Sequence, residues 1–419
     1  MTDVKGRRDA VFGAGSTLFY EEPVHIVRGE GVYLYAEDGT RFVDMYNNVP
    51  SVGHCHPHVV EAVSSQLGTL NVHNRYLHEA ILEYGERLVA THHDGIENVV
   101  FSCTGTEANE VALMMARAAT GGQGIICTNA AYHGNSTEVR RLNHSSASTG
   151  DIRSVPFPDL FRFGTQGLGE DPLSYYLSRI EETIAGFQRD GIPFAGLLFC
   201  PIFANEGLPA IPDGFLPEAA KLVRAAGGLF ICDEVQAGLC RTGNWWGYQI
   251  QGVDPDIVSM GKPLGAGMPL AATAGRRDLV ENFRSKTRYF NTFASSPAQA
   301  AAGNAVLDVI ESEQLLASIN AVGDRLRADL MPFQDQIEAM ADVRGEGLFV
   351  SIEWVKDRQS REPDVNGALR VVDGLKSHGF LTSNAGAYNN IVKLRPPLVF
   401  SQENADAFIA AFADVLSDL

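Results

Sequence analysis

The chain has 419 residues and a formal net charge of −18 at neutral pH, and 45% of its residues are hydrophobic. This length allows two or three domains with a large core, and the composition is that of a folded protein rather than a disordered one. The acidic charge argues against nucleic acid or an anionic membrane surface as the main partner, because phosphate groups require a basic footprint.

The sequence contains no segment typical of membrane insertion or export. No apolar run reaches the roughly 18 residues that a membrane span needs, and the charged N-terminus lacks the apolar stretch of a signal peptide. The six cysteines show no paired spacing, and several lie in apolar runs, where a thiol behaves as a small hydrophobe. We therefore expect a reduced, cytoplasmic protein that binds neither membranes nor nucleic acid.

The N-terminal fifty residues predict a short arm followed by a small sheet. Apolar runs at 24–27, 32–35 and 41–43 surround an Asp-Gly turn, which is a hairpin signal. We assign residues 1–54 to this arm and hairpin, and expect them to pack on a smaller C-terminal domain.

Residues 55–304 predict a large domain of alternating strands and helices. Short runs that are apolar on both faces are typical of a mainly parallel sheet covered by helices. These runs are 98–103, 124–128, 196–200, 229–232, 256–260 and 271–274. Helical patterns lie between them, for example at 106–119 and 215–226.

Residues 305–419 predict a second, smaller α/β domain. Helical patterns and apolar runs alternate again in this part of the chain. The predicted elements near and within it are helices at 302–311, 314–330, 365–378 and 403–418 and strands at 346–354 and 391–394. The predicted fold class is therefore α/β, with a mainly parallel sheet covered by helices and a smaller α/β domain at the C-terminus.

Two predicted strands lead directly into a charged residue. Asp233 follows the run 229–232, and Lys262 follows the run 256–260 with glycines around it. Ligand sites of parallel sheets lie at the carboxyl ends of the strands. A carboxylate there needs a partner or a task, and a desolvated lysine becomes a nucleophilic amine. The alternatives are a helix cap or an ion pair for Asp233 and a surface position for Lys262.

A third strand end suggests a phosphate site. The run 98–103 leads through Gly105 into a helix that has Thr106 at its start. Free amides and the helix dipole at such a position bind anions, although Ser and Thr also cap helices in general. Tyr132 follows another predicted strand and offers an aromatic face for a planar ring.

Together these features indicate one cofactor, pyridoxal 5′-phosphate, with Asp233 at the ring nitrogen and Lys262 as the amine that forms a Schiff base. The sequence contains Asp-Glu-Val-Gln-Ala-Gly at 233–238, Arg-Thr-Gly at 241–243 and Gly-Lys at 261–262. With these motifs the chain resembles the class III aminotransferases of the fold-type I pyridoxal-phosphate enzymes, and the resemblance extends over nearly the whole chain.

The resemblance implies the cofactor contacts residue by residue. The implied contacts are Gly105 and Thr106 at the phosphate, Tyr132 on the ring with His133 beside it, Asp233 at the ring nitrogen, Val235 behind the ring and Gln236 near the phenolic oxygen. Thr292 would reach the phosphate of the neighbouring subunit's cofactor. The family therefore implies a homodimer with shared active sites.

One segment departs from the family pattern. Many members carry Glu-Pro-x-x-Gly where this chain has Cys-Pro-Ile-Phe-Ala at 200–204. The missing carboxylate and the phenyl ring of Phe203 would make this wall of the site more apolar. Arg395 still aligns with an arginine that often grips a substrate carboxylate, with a structural ion pair as the alternative.

The histidines at 54, 56 and 58 alternate with Cys55 and Pro57, a spacing that can suggest a metal. No second pair of ligands follows at zinc-finger spacing, and the resemblance places this stretch before a helix, so we expect no metal site.

The resemblance leaves two reactions open. Reprotonation of the cofactor carbon by Lys262 gives transamination, whereas loss of a leaving group gives elimination. The segments 74–78 and 289–293 resemble the phospholyase branch, which eliminates phosphate from O-phosphoethanolamine or a phosphorylated hydroxylysine. In that branch Arg75, with Tyr20, would hold the departing phosphate, unless Arg75 pairs with a carboxylate.

We expect an aminotransferase that moves an amino group from an amine or amino acid to a 2-oxo acid, with the phospholyase as the alternative. A ligand-sensing regulator would need a basic DNA-binding stretch, which this chain lacks. A Rossmann dehydrogenase would need Gly-x-Gly-x-x-Gly after its first strand, and no such motif follows the first strand of this chain. We therefore expect neither a regulator nor a dehydrogenase.

Overall fold

The computed structural model describes residues 3–144, 147, 149–164 and 171–418. The strands are β1 (Ile26–Glu30), β2 (Tyr33–Ala36), β3 (Arg41–Asp44), β4 (Asn98–Ser102), β5 (Gly124–Thr128), β6 (Ile152–Val155), β7 (Phe194–Phe199), β8 (Leu229–Asp233), β9 (Ile257–Met260), β10 (Ala271–Gly275), β11 (Met340–Glu346), β12 (Phe349–Trp354), β13 (Phe380–Leu381), β14 (Ser383–Ala385) and β15 (Ile391–Leu394).

The helices are α1 (Val4–Phe12), α2 (Pro57–Thr69), α3 (Glu79–Ala90), α4 (Gly105–Thr120), α5 (Thr137–Arg140), α6 (Leu160–Phe163), α7 (Pro172–Arg189), α8 (Phe215–Ala225), α9 (Gly247–Ile250), α10 (Arg277–Lys286), α11 (Pro297–Ser312), α12 (Leu315–Gln336), α13 (Val365–Ser377) and α14 (Gln402–Ser417). A short 3-10 helix spans Lys262–Gly265. None of the described helices is long and apolar enough to cross a membrane. The cytoplasmic location stays a prediction.

The largest sheet has the strand order β4-β10-β9-β8-β7-β5-β6. Its strands from β9 to β6 are parallel, whereas β10 is antiparallel to both β4 and β9. Every residue of β5 and β9 is buried, as expected for strands covered by helices on both faces. The predicted mainly parallel α/β fold is confirmed.

Strand β6 was not predicted, because Arg153 and Ser154 interrupt its apolar pattern. Arg153 is nevertheless buried, since its guanidinium pairs with Asp190 and lies 4.3 Å from the centre of the Phe187 ring. The ion pair and the aromatic contact compensate for the buried charge.

The predicted strand at 346–354 is observed over β12, but its start is wrong, because the chain reverses at Gly347. Gly347 has a left-handed φ of 53°, and the segments on either side form the antiparallel pair β11 and β12. A side chain at this position would also lie 2.7 Å from the backbone oxygen of Arg241. Glycine is therefore required at this turn.

The N-terminal hairpin joins the C-terminal part of the chain. Strand β3 pairs in parallel with β13, so β1, β2, β3 and β13 form one four-stranded sheet, and β11, β12, β15 and β14 form another. The predicted short arm contains the exposed helix α1. Helix α11 runs across the predicted boundary at residue 304, and the division into 1–54, 55–304 and 305–419 stays a prediction.

The direction of the strands gathers the residues that follow them. Strands β4, β5, β8 and β9 point the same way, so their carboxyl ends meet at one edge of the sheet. The segments that leave this edge contain Gly105, Tyr132, Asp233 and Lys262. The fold therefore brings four residues from distant parts of the sequence to one place.

Gly323 tests the packing of α12 against the turn between β11 and β12. A Cβ at this buried position would lie 2.1 Å from the backbone oxygen of Gly347, so Gly323→Ala should lower the free energy of unfolding by about 1–3 kcal/mol. Gly68→Ala in α2, where a Cβ meets open space, should leave stability unchanged or raise it by up to about 1 kcal/mol. Equal thermal unfolding midpoints for the two variants would contradict this packing.

Candidate active site

A cavity of about 260 Å³ opens at this edge of the large sheet. The residues that line it are Thr104, Gly105, Thr106, Tyr132, His133, Gly134, Asn135, Cys200, Asn205, Asp233, Val235, Gln236 and Lys262. The structure thus brings together the cofactor residues predicted from the sequence, except Thr292.

Asp233 is a buried carboxylate, 5% exposed, at the end of β8. Its Oδ2 accepts from Asn109 Nδ2 at 2.9 Å and lies 2.7 Å from His133 Nδ1, and its Oδ1 accepts from Val235 N at 2.9 Å. Burial alone would raise the pKa of Asp233, but these hydrogen bonds outweigh it and hold the pKa below its ordinary value. The carboxylate is therefore ionised at neutral pH.

Asn109 was missed by the sequence analysis. It lies on the buried face of α4, and its Nδ2 donates to the backbone oxygen of His133 at 2.7 Å as well as to Asp233. Its Oδ1 accepts from Ser259 Oγ at 2.5 Å. The only sequence signal for Asn109 was that a polar residue occupies the fifth position of the helix that begins at Gly105. Many residues on protein surfaces fit the same pattern, so it could not identify Asn109.

Lys262 directly follows β9 and Gly261, and it lines the cavity. Solvent reaches its side chain through the cavity, but protein surrounds that space on most sides. This desolvation, together with the positive charge of Arg395, holds the pKa of Lys262 below its ordinary value, although Asp233 acts in the opposite sense. A larger fraction of this amine is therefore uncharged than in an ordinary lysine.

The start of α4 forms an anion site on another side of the cavity. Thr104 caps the helix together with Glu107, while the amides of Gly105 and Thr106 have no acceptor among the described residues. A side chain at residue 105 would lie 2.8 Å from Val235 Cγ1. Glycine therefore lets the helix start lie directly against Val235, with its free amides and positive dipole end at the cavity.

Asn205 links two predicted site residues. Its Nδ2 donates to the backbone oxygen of Tyr132, and its Oδ1 accepts from Gln236 Nε2, both at 2.9 Å. The expectation that Phe203 makes this wall apolar is wrong, because Phe203 does not line the cavity. It has a φ of 50°, and its ring packs in the core 5.6 Å from the ring of Phe199.

Arg395 lies behind Gln236. Its Nη1 donates to Gln236 Oε1 and its Nε donates to the backbone oxygen of Tyr46 at 2.8 Å. Among the described residues no carboxylate lies within ion-pair distance of Arg395, so the structural ion pair left open by the sequence is not observed. Desolvation lowers the pKa of the buried guanidinium below its ordinary value, although the group is close enough to Asp44 for that charge to raise it.

Thr292 and Arg75 both lie outside this cavity, and Arg75 contacts Phe290, two residues before Thr292. Thr292 is exposed in a loop that Asn291 attaches to Glu107 of α4 at 3.2 Å. The guanidinium carbon of Arg75 lies 4.1 Å from the ring centre of Phe290, and no described carboxylate pairs with it. Both side chains are available to another molecule.

Tyr20 faces a different cavity, lined also by Phe19 and Tyr46. Its hydroxyl donates to the backbone oxygen of Thr382 at 2.8 Å. Burial, with the charge of Asp44, raises the pKa of Tyr20, so the hydroxyl remains a donor. This geometry does not support the predicted contact of Tyr20 with a departing phosphate.

The histidines at 54, 56 and 58 each contact a different carboxylate. Their partners are Asp44 at 2.7 Å, Glu313 at 3.2 Å and Asp308 at 2.9 Å, respectively. Within the described ranges, no group of three or more His, Cys, Asp or Glu side chains could hold a metal ion.

The donor set around the cavity fits pyridoxal phosphate. The unpartnered amides at the start of α4 and the hydroxyl of Thr106 suit its phosphate. The ionised Asp233 suits a protonated ring nitrogen, Lys262 supplies a primary amine for the aldehyde, and Tyr132 offers an aromatic face beside them.

Comparisons with known proteins agree with this fit. The sequence model of the family Aminotransferase class-III matches residues 19–416. A Drosophila melanogaster protein named "Alanine--glyoxylate aminotransferase 2-like" is 35% identical over 98% of this chain and 86% of its own. A Caenorhabditis elegans protein named "Ethanolamine-phosphate phospho-lyase homolog 1" is 34% identical over 99% and 93%.

Among solved structures, a phospholyase from Arthrobacter in complex with phosphoethanolamine is 37% identical, covers all of both chains and superposes with a TM-score of 0.95. The family resemblance read from the sequence is thus confirmed. The chain belongs to the class III aminotransferase family, whose members use pyridoxal phosphate.

Proposed function

We propose that this enzyme eliminates phosphate from a small phosphorylated amine such as O-phosphoethanolamine. The observation that carries the proposal is the positive charge behind the cavity wall. Arg241 and Arg395 are both at most 6% exposed, and among the described residues neither of them forms an ion pair with a carboxylate. In a chain of net charge −18, such a cluster suits a substrate that carries more than one negative charge.

The likeness to the Arthrobacter phospholyase supports the same choice. That structure matches this chain over its full length and contains phosphoethanolamine. The amino-acid sequence alone favoured transamination, because the segments that resemble the phospholyase branch also occur in aminotransferase relatives. The full-length likeness and the unpaired cations add weight to elimination.

The residues around the cavity suit the steps of an elimination. When bound, the cofactor withdraws electrons from the substrate carbon that carries the amine. Asp233 would keep the ring nitrogen protonated, and Lys262 Nζ would accept the proton released from that substrate carbon. The C–O bond to the phosphate then breaks, the phosphate takes the electron pair, and Arg395 would stabilise the departing anion. With water, O-phosphoethanolamine would yield acetaldehyde, ammonia and phosphate.

Transamination remains the second candidate. The Drosophila relative named as an aminotransferase is as similar to this chain as the nematode phospho-lyase homologue. Arg395 also suits the carboxylate of a 2-oxo acid, which binds a guanidinium in a bidentate manner. In transamination, Lys262 would transfer the proton that it accepts from the substrate carbon to a carbon of the cofactor.

The two reactions differ in that transamination requires a 2-oxo acid and elimination does not. Supplied with O-phosphoethanolamine alone, the holoenzyme should release phosphate and acetaldehyde in equal amounts without any 2-oxo acid. Lys262→Ala should reduce this release at least about a hundredfold, because the base is lost. Formation of alanine from an amine and pyruvate, with no phosphate released from O-phosphoethanolamine, would contradict the proposal.

We further propose that two chains form a homodimer with shared active sites. Around the exposed Thr292 and Arg75 lie large apolar side chains, including Leu77 at 97% and Phe293 at 77% exposure. An apolar patch of this kind marks an interface. An interface here would bring Thr292 and Arg75 toward the cofactor cavity of a second subunit.

Thr292→Ala tests this arrangement. Loss of a hydrogen bond to a charged phosphate costs about 1.5–3 kcal/mol, so cofactor affinity should fall roughly ten- to a hundredfold. Cofactor should also stabilise the dimer of the wild type when the protein is diluted in sedimentation experiments.

The matched control is Thr287→Ala, because the Thr287 hydroxyl donates to the backbone oxygen of Phe283 at 2.8 Å and has no predicted role at the cofactor. This variant should keep wild-type cofactor affinity. A fully active holoprotein that sediments as a monomer would show that each site is complete within one chain.

A further inference from the structure

Lys393, on β15, is a buried lysine without a carboxylate partner in the described part of the chain. It is 3% exposed, its Nζ donates to the backbone oxygen of Ala204 and lies 5.1 Å from the ring centre of Phe349. Burial, followed by the charge of Arg395, holds the pKa of Lys393 well below its ordinary value.

A lysine in this environment lowers the stability of the fold. An amine removed from water needs hydrogen bonds to replace those it made with the solvent, and one carbonyl replaces only part of them. Methionine has a similar volume and carries no such penalty. Residues that weaken a fold in this way are typical of functional sites.

The contact between Lys393 and Ala204 leads to the cavity. The next residue, Asn205, accepts from Gln236 Nε2, and Gln236 Oε1 in turn accepts from Arg395. Arg395 is two residues beyond Lys393, at a separation that places both side chains on the same face of an extended chain. The contacts therefore form a ring that runs from Lys393 through Ala204, Asn205 and Gln236 to Arg395. This ring begins and ends on the same segment of the chain.

The turn held by Lys393 is strained. Phe203 has a φ of 50° and Leu208 a φ of 55°, values that non-glycine residues adopt only when surrounding contacts enforce them. Arg344 Nε donates to the backbone oxygen of Leu208 at 2.7 Å and holds one end of the turn. Lys393 holds the other end at Ala204.

We propose that Lys393 is a positioning residue of this active site, which holds Asn205 and Gln236 in place so that Arg395 is ready for an anionic group of the substrate. The inference rests on the proposed function only in taking this group to be an anion. Both a phosphorylated amine and a 2-oxo acid meet that condition.

Lys393→Met removes the donor and keeps the volume. We expect an unfolding temperature equal to or above that of the wild type, and faster deuterium exchange in residues 201–208. The dissociation constants of the holoenzyme for inorganic phosphate or pyruvate should rise about three- to tenfold, as for the loss of one hydrogen bond. Lys221→Met on the exposed face of α8 is the control and should change none of these quantities.

Asn205→Ala interrupts the same ring at the next residue and carries the test if Lys393→Met does not fold. The affinities of Asn205→Ala for inorganic phosphate and pyruvate should fall by a similar factor. The double variant of Lys393→Met and Asn205→Ala should bind these probes no more weakly than either single variant, because both changes interrupt the same chain of contacts.

Wild-type exchange and affinity in Lys393→Met would overturn the inference, as would a lower unfolding temperature with unchanged affinity. Failure of the wild type to bind either probe would also overturn it, since Arg395 would then not be an anion site. One combination of results would refute the proposed function and leave the inference about Lys393 standing. In it, the holoenzyme releases no phosphate from O-phosphoethanolamine, while Lys393→Met binds pyruvate more weakly than the wild type.

Discussion

The active site depends on one buried carboxylate that remains charged. Asp233 is held by a histidine, an asparagine amide and a backbone amide, which together outweigh the cost of removing its charge from water. The partners come from three separate segments, so the hydrogen bonds that keep this buried carboxylate ionised form only when β8, α4 and the loop after β5 are assembled. The chemistry of the cavity is therefore a consequence of the tertiary fold.

The other side of the cavity has the opposite electrostatic character. Arg241 and Arg395 are buried with neutral acceptors, and desolvation followed by the charge of Arg395 lowers the pKa of Arg241 to about 9. Backbone and amide oxygens hold these two guanidinium groups in place, and neither group forms an ion pair among the described residues. An anion that enters the cavity thus meets positive charge that is already oriented, which is the basis of electrostatic preorganisation.

The residues at strand ends could be predicted from the sequence. Asp233 and Lys262 follow apolar runs directly, and Gly105 lies between such a run and a helix, so local pattern and the geometry of parallel sheets were sufficient to place them. Lys393 and Asn205 could not be found in this way. Lys393 lies in an apolar run with nothing to show that its amine is unpaired, and the role of Asn205 depends on contacts across the fold.

The errors have a similar origin. Phe203 looked like part of the cavity wall because it follows a strand, but the left-handed backbone at that residue turns its ring into the core. The strand that is β12 was predicted to start at residue 346 instead of 349, because Gly347 was treated as part of an apolar run. In both cases a single backbone angle decided where the side chains lie, and the hydrophobic pattern carries no information about it.

We propose that Asp233 keeps a charge in the protein interior and thereby sets the protonation of the ring nitrogen of the cofactor. Nitrogen NMR of the holoenzyme, prepared with pyridoxal phosphate that carries ¹⁵N in the ring, measures this protonation directly. We expect a protonated ring nitrogen in the wild type at neutral pH and an unprotonated one in Asp233→Asn, with cofactor still bound. An unprotonated nitrogen in the wild type, or no difference between the two proteins, would contradict it.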